Sequence, residues 1–177
     1  MFEIKIADKD FGLEEKEMVN PFKRFASRGI VRNGDKIAIF FKVNMNEYKL
    51  PGGGLDVGES PKDGFKREVK EETGCEIANI KQIGTAEEFK TKSGFYQKSY
   101  VFSADVVKDT KILNITEKEK AEGAVLVWLS LDAAIEKIKN SFENLKASPY
   151  DKDADIYSSR FVVKRDLKIL EEYEKDR

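Results

Sequence analysis

Apolar and charged residues alternate at the start of the chain. Phe2, Ile4 and Ile6 recur with the period of a strand that buries one face, which predicts an edge strand. The apolar stretches Arg28 to Val31 and Lys36 to Phe41 flank an Asn33-Gly34 turn signal and read as a hairpin. Further strands are expected within Glu76 to Phe89, Gly94 to Val107 and Ala124 to Leu129. The first two are long enough to contain turns or bulges.

Elsewhere the period is helical. From Pro61 to Thr73, Ser60 is placed to cap a helix, Pro61 suits its first position and Asp63 completes an S-x-x-D box. Gly74 is its expected stop, and Phe65 and Val69 form its apolar stripe. A second helix is expected from Leu131 to Leu145, capped by Ser130 and burying Ala134, Ile135, Ile138, Phe142 and Leu145. A third is expected from Ile156 to Lys175, with Val163, Leu167, Leu170 and Tyr173 on one side. Lys146 to Asp155 reads as a loop. Strands interleaved with a few helices give an α/β class. With no repeat and no linker composition, one domain is expected over residues 1–177, with 1–24 as an N-terminal edge segment and 147–177 as a C-terminal loop and helix.

Composition narrows the chemistry. Charged residues make up 37% of the 177, yet the net charge is −1, which argues against a general nucleic-acid binder. There is no histidine, so a histidine base and imidazole-bound metals are excluded. The single cysteine, Cys75, rules out an intrachain disulfide and points to a reducing compartment, so a cytoplasmic location is expected. The apolar runs Ile37 to Phe41 and Ala124 to Leu129 fall far short of the ~20 residues of a membrane span. The N-terminus lacks the continuous apolar core of a signal peptide, and no membrane partner is expected. Any bound metal should be a hard cation held by oxygens.

The first helix carries an unusual set of acids. Glu68, Glu71 and Glu72 are spaced i, i+3 and i+4, which puts three carboxylates on one face. Like charges at that spacing repel, and Mg²⁺ or Mn²⁺ would neutralise them. A solvated face paired with Lys62, Lys66, Arg67 and Lys70 is the ordinary alternative. Immediately upstream, Leu50 to Glu59 holds four glycines in ten residues, a loop whose backbone can approach a metal or phosphate.

Together these features resemble the Nudix box. From Gly53 to Cys75 the chain reads GGLDVGESPKDGFKREVKEETGC, and Gly53, Glu59, Arg67, Glu68, Val69, Glu71, Glu72 and Gly74 match the motif. Cys75 departs, standing where an aliphatic residue is usual, and reads as a packing variation. The resemblance implies an α/β/α sandwich around a mixed sheet and a MutT-like, Mg²⁺-dependent (or Mn²⁺-dependent) pyrophosphohydrolase acting on a nucleoside diphosphate linked to another group. It also implies roles. Glu71 and Glu72 would bind the metal, with the carbonyl of Gly52 as an added ligand. Glu68 would be a third metal-facing carboxylate or the base that activates water. Arg67 and Glu59 would form an ion pair that orients the helix. Some relatives draw an acid from a late loop, for which Glu117, Glu119 and Glu122 are candidates. Family members are often dimers, so a homodimer through Met1 to Asn20 is a further expectation.

Substrate marks outside the box are sparse. The Pro that many ADP-ribose hydrolases carry past the box is replaced by Phe89, Lys90 and Thr91 in that region. Tyr96 and Tyr100 stand only loosely where dinucleoside-polyphosphate hydrolases carry a Tyr. Phe89, Phe95 and Tyr96 are candidate base-stacking residues, and Arg28, Lys36 and Arg160 candidate phosphate contacts. The expectation is a nucleoside triphosphate or related small nucleotide. The alternatives are a dinucleoside polyphosphate, an ADP-ribose-type substrate, or a nucleotide-binding module that does not cleave.

Overall fold

The computed structural model describes residues 1–176. Its strands are β1 (Phe2–Ala7), β2 (Phe22–Asn33), β3 (Lys36–Lys42), β4 (Glu47–Lys49), β5 (Gly52–Gly54), β6 (Cys75–Lys90), β7 (Phe95–Asp109) and β8 (Ala124–Leu129). Its helices are α1 (Pro61–Thr73), α2 (Glu117–Ala121), α3 (Leu131–Ser141) and α4 (Tyr157–Lys175). The strands form one sheet in the order β1-β6-β7-β2-β3-β4, with β5 added to β2 and β8 to β3. The pairs β1–β6 and β2–β7 are parallel and the others antiparallel, so the sheet is mixed.

Period-2 alternation divides the residues between two faces. On one face Ile4, Ile6, Ile30, Ala86 and Val101 pack against α3 and α4 through Ala134, Ile138, Phe161 and Leu170. On the other, Val31, Ala38, Phe102 and Ala104 pack against Phe65 and Val69 of α1. Cys75 lies in this second core, in the place the motif reserves for an aliphatic side chain. The result is the expected α/β/α sandwich.

Two departures from the sequence pattern shape the site. First, β2 begins at Phe22, so residues 22–24 already belong to a central strand rather than to an edge segment. Its first four residues, Phe22–Phe25, are exposed, and its buried stretch includes Arg28, so the apolar alternation is hidden. Second, the β2–β3 hairpin is paired only at Arg32–Ile37 and Asn33–Lys36. Beyond that the strands part. β2 takes β5 (Ala26–Gly54, Ser27–Gly53, Arg28–Gly52), and β3 takes β4 and β8. The chain crosses the opening on Leu50 and Pro51, and the C-terminal half of α1 faces it. Gly52 fits here because its φ of +144° is unfavourable for other residues, and an added Cβ would lie 2.3 Å from the Ser27 carbonyl oxygen.

Candidate functional site

Ser60 caps helix α1 as its sequence implies, but the Asp63 carboxylate accepts the Ser60 hydroxyl at 2.7 Å where a full box would have it accept the Ser60 N–H. The Asp63 N–H donates to Ser60 Oγ at 3.2 Å, and Gly74 adopts the left-handed conformation that ends the helix. This sets Arg67, Glu68, Glu71 and Glu72 against the glycine strand β5. Arg67 is the hub. Its Nε and Nη2 each reach Glu59 at 2.9 Å in a bidentate pair, Nη1 donates to Glu68 Oε1 at 2.8 Å, and Nη2 donates to the Gly54 carbonyl at 2.8 Å. Nη1 also lies 3.4 Å from Glu71 Oε2. The bidentate contact holds the Glu59 carboxyl below its ordinary value and raises Arg67. The structure thus contains the Arg67–Glu59 pair that the resemblance implied.

Glu72 is not on a solvated face. It is 3% exposed and clasped from two sides. The Gly52 N–H donates to its Oε2 at 2.8 Å, and the Lys49 ammonium lies 2.5 Å from its Oε1. The same ammonium donates to the Gly52 carbonyl at 3.1 Å. Burial pushes the Glu72 carboxyl up, and Lys49 and the Gly52 N–H offset part of that rise. Glu71 is also raised, by burial and then by its neighbour Glu68. Glu68 lies against Gly53, where an added Cβ would stand 2.5 Å from its carboxylate.

The expected metal ligands are therefore neighbours, but they are engaged with protein cations. Among the described residues no group of three or more acids or cysteines converges as a ready cation cage. The donor chemistry nevertheless fits a hard cation. A backbone carbonyl and a carboxylate oxygen already grip the Lys49 ammonium between them.

These residues form one wall of a cleft of about 970 Å³. The facing wall comes from the late loop and α2. Glu119 lines the cleft while its carboxylate caps α2 through the Thr116 N–H at 2.8 Å. Glu122 lines it too, 1% exposed, with Lys42 Nζ at 2.7 Å and Ser148 Oγ donating at 2.6 Å. Glu117 pairs with Lys120 instead and is not part of the lining. The aromatic candidates also separate. Phe95 lines the cleft and stacks on the exposed Phe22 at 5.7 Å, whereas Phe89 and Tyr96 pair with each other on the opposite face of the sheet. Arg28 lines the cleft, and Lys36 and Arg160 do not.

A buried charge network that sequence reasoning missed lies deeper in the cleft. Arg165 and Asp166 of α4 meet Glu88 and Lys90 of β6, Gln97 and Ser99 of β7, and Arg28 of β2. Arg165 Nε donates to Asp166 Oδ1 at 2.7 Å, and its Nη1 donates to Glu88 Oε2 at 2.8 Å. Gln97 Nε2 donates to the same Glu88 oxygen at 2.6 Å, and Lys90 Nζ lies 3.5 Å from the other. Arg28 Nε donates to Ser99 Oγ at 3.1 Å, and its Nη1 is 4.0 Å from Asp166 Oδ1. Asp166 Oδ2 accepts the Leu50 N–H at 2.8 Å, which ties α4 to the loop before β5. Burial and then the neighbouring Arg165 bring the Arg28 guanidinium down to about 10. A signal existed in the sequence. Arg165 lies four residues after Phe161 and four before Ile169, so the stripe of buried positions on α4 is broken by a charge.

Comparisons with known proteins bear on the family and the fold. The family model described as NUDIX domain matches residues 24–150. A MutT-like protein of Streptomyces ambofaciens is 26% identical over 109 residues, which cover 62% of this chain and 64% of that protein. The chain thus spans just under two thirds of that relative's length. A NUDIX hydrolase from Nitrosomonas europaea has a similar fold, with a TM-score of 0.61 and 19% identity over 88% of this chain and 90% of that one.

Proposed function

The chain belongs to the NUDIX domain family, and we propose that it is a Mg²⁺-dependent pyrophosphohydrolase. The bond cut is in a nucleoside diphosphate linked to a second group, with nucleoside triphosphates and related small nucleotides the favoured substrates. One observation carries this reading. The Gly52 carbonyl and the Glu72 carboxylate together hold a cationic group beside Glu68 and Glu71, on the wall of a cleft large enough for a nucleotide. The buried single thiol fits a reducing, cytoplasmic setting.

The divalent cation, when bound, supplies charge neutralisation at phosphoryl oxygens and lowers the pKa of bound water. Gly52, Glu71 and Glu72 are the residues we assign to hold it. Glu68 Oε1 takes Arg67, and Oε2 is the atom assigned to accept the proton of the attacking water. Arg67, clamped by Glu59 and the Gly54 carbonyl, orients the carboxylates of α1 without touching substrate. The stacked Phe22 and Phe95 offer a flat apolar face to a base.

A second reading is a module that holds a nucleotide without cutting it. Its support is that Lys49 and Arg67 engage the carboxylates. Phosphate or pyrophosphate release over a panel of nucleotides distinguishes the two. The panel holds canonical and oxidised triphosphates, ADP-ribose, a dinucleoside polyphosphate and a nucleotide sugar. Mg²⁺-dependent turnover that disappears with chelator and in Glu72→Gln is the expected result. Nucleotide binding with no turnover of any compound would leave only the module.

A further inference from the structure

The charge network at the cleft floor is arranged asymmetrically. Arg28, Lys90 and Arg165 line the cleft, whereas Glu88 and Asp166, their counter-charges, do not. All five are buried, and three cations face two carboxylates. Glu88 Oε2 takes both Arg165 and Gln97, Asp166 takes Arg165 and the Leu50 N–H, and Glu88 Oε1 has the Lys90 ammonium at 3.5 Å but no hydrogen bond among the described residues. One cationic donor is left over as well. Arg165 Nη2 has no hydrogen-bond partner among the described residues, although Arg165 is only 1% exposed. A buried guanidinium donor left unpaired is costly, and an oxyanion entering the cleft would satisfy it.

We propose that Arg28, Lys90 and Arg165 form a phosphate subsite, which holds the phosphate group adjoining the diphosphate that is cut. Its position follows from backbone pairing. Arg28 is the register partner of Gly52, and Asp166 accepts the N–H of Leu50, so Arg28 and Arg165 adjoin the segment that carries Gly52, while Lys90, whose register partner Phe95 pairs with Phe22, extends the cations away from it. The free Nη2 of Arg165 is left to donate to a phosphate oxygen, and the compact Lys90 ammonium adds a second donor group from β6. The substrate class narrows accordingly. A chain of three or more phosphates reaches both places, whereas a diphosphate joined to a neutral sugar leaves the subsite empty. Helix α4, beyond the residues matched to the family, thereby takes part in recognition.

The proposal rests on the hydrolase reading for which phosphate is cut, but its anion binding is measured without metal. Inorganic phosphate and pyrophosphate are titrated calorimetrically into the full-length, metal-stripped protein and into Lys90→Gln and Arg165→Lys, with folding checked by circular dichroism. Binding to wild type, weakened about tenfold or more in both variants, is expected. Gly53→Ala, which alters only the carboxylate wall, keeps wild-type affinity. No binding to wild type, or equal affinity in Lys90→Gln, overturns the subsite. If Arg165→Lys does not fold, Lys90→Gln decides alone. With Mg²⁺, Lys90→Gln should also lower kcat/KM for a triphosphate more than for a nucleotide sugar. A missing turnover in wild type would count against the hydrolase reading and leave the anion titration standing.

Discussion

Lys49 and Glu72 form a buried ion pair whose ammonium also rests on the Gly52 carbonyl. One residue from β4 thus neutralises the most deeply buried acid of α1. Both of the cation's hydrogen-bond acceptors are oxygens that the family resemblance assigns to a metal.

If a metal and Lys49 share those oxygens, the lysine is a placeholder. Lys49→Met should destabilise the metal-free protein by roughly 3–5 kcal/mol, because Glu72 is left charged and unpaired. Mg²⁺ should then raise the melting temperature of the variant more than that of the wild type. Thermal melts with chelator and with Mg²⁺ test this, and an equal Mg²⁺ shift in both proteins would refute a shared seat.

Gly53→Ala places a methyl group 2.5 Å from the Glu68 carboxylate. The obstacle meets the end of a flexible side chain, so stability should hardly change. Displacing the assigned proton acceptor should reduce kcat by about 100-fold. A variant with normal kcat would remove Glu68 from the reaction.

Glu59→Gln leaves Arg67 without its bidentate partner but keeps its bonds to Glu68 and Gly54. Turnover should fall by roughly 10- to 100-fold, short of the complete loss expected for Glu72→Gln. Steady-state kinetics of the two variants side by side give the comparison. A loss as complete as that of Glu72→Gln would assign Glu59 a direct role.

Acid should unfold the protein through Glu88. Burial alone would raise this carboxyl, but Arg165, Lys90 and Arg28 override it and hold it at about 2. The unfolded chain takes up the proton near the ordinary value of 4.5, so folding is favoured above that pH. The contribution is lost as pH falls from there towards about 2. Melting temperatures across that window should drop steeply in wild type and less steeply in Glu88→Gln. Parallel curves would show that Glu88 does not govern acid stability.

Much of this molecule was legible because its signals are local. The cap of α1, its glycine stop, the i, i+3, i+4 acids and the Asn33-Gly34 turn each act within a few residues, and each stands where the sequence places it. What escaped depends on distant partners. Lys49 reads as a surface lysine until β4 meets the end of α1. Glu88 and Arg165 read as ordinary charges until a strand and a helix 77 residues apart bring them to 2.8 Å. The start of β2 escapes as well, since Phe22–Phe25 are exposed and show no buried face, and only their pairing with β7 makes them a strand. Buried polar clusters invert the inside–outside rule on which such reading depends.

The bond from Leu50 to Asp166 bears on how the protein can be cut and recombined. The match to the family model ends at residue 150, and a chimera joined there would take its final helix from another protein. That graft would bring an apolar stripe but not the carboxylate waiting for Leu50 or the guanidinium waiting for Glu88. A workable exchange must carry the β4–β5 segment, β6 and α4 together, as one block drawn from stretches far apart in the chain.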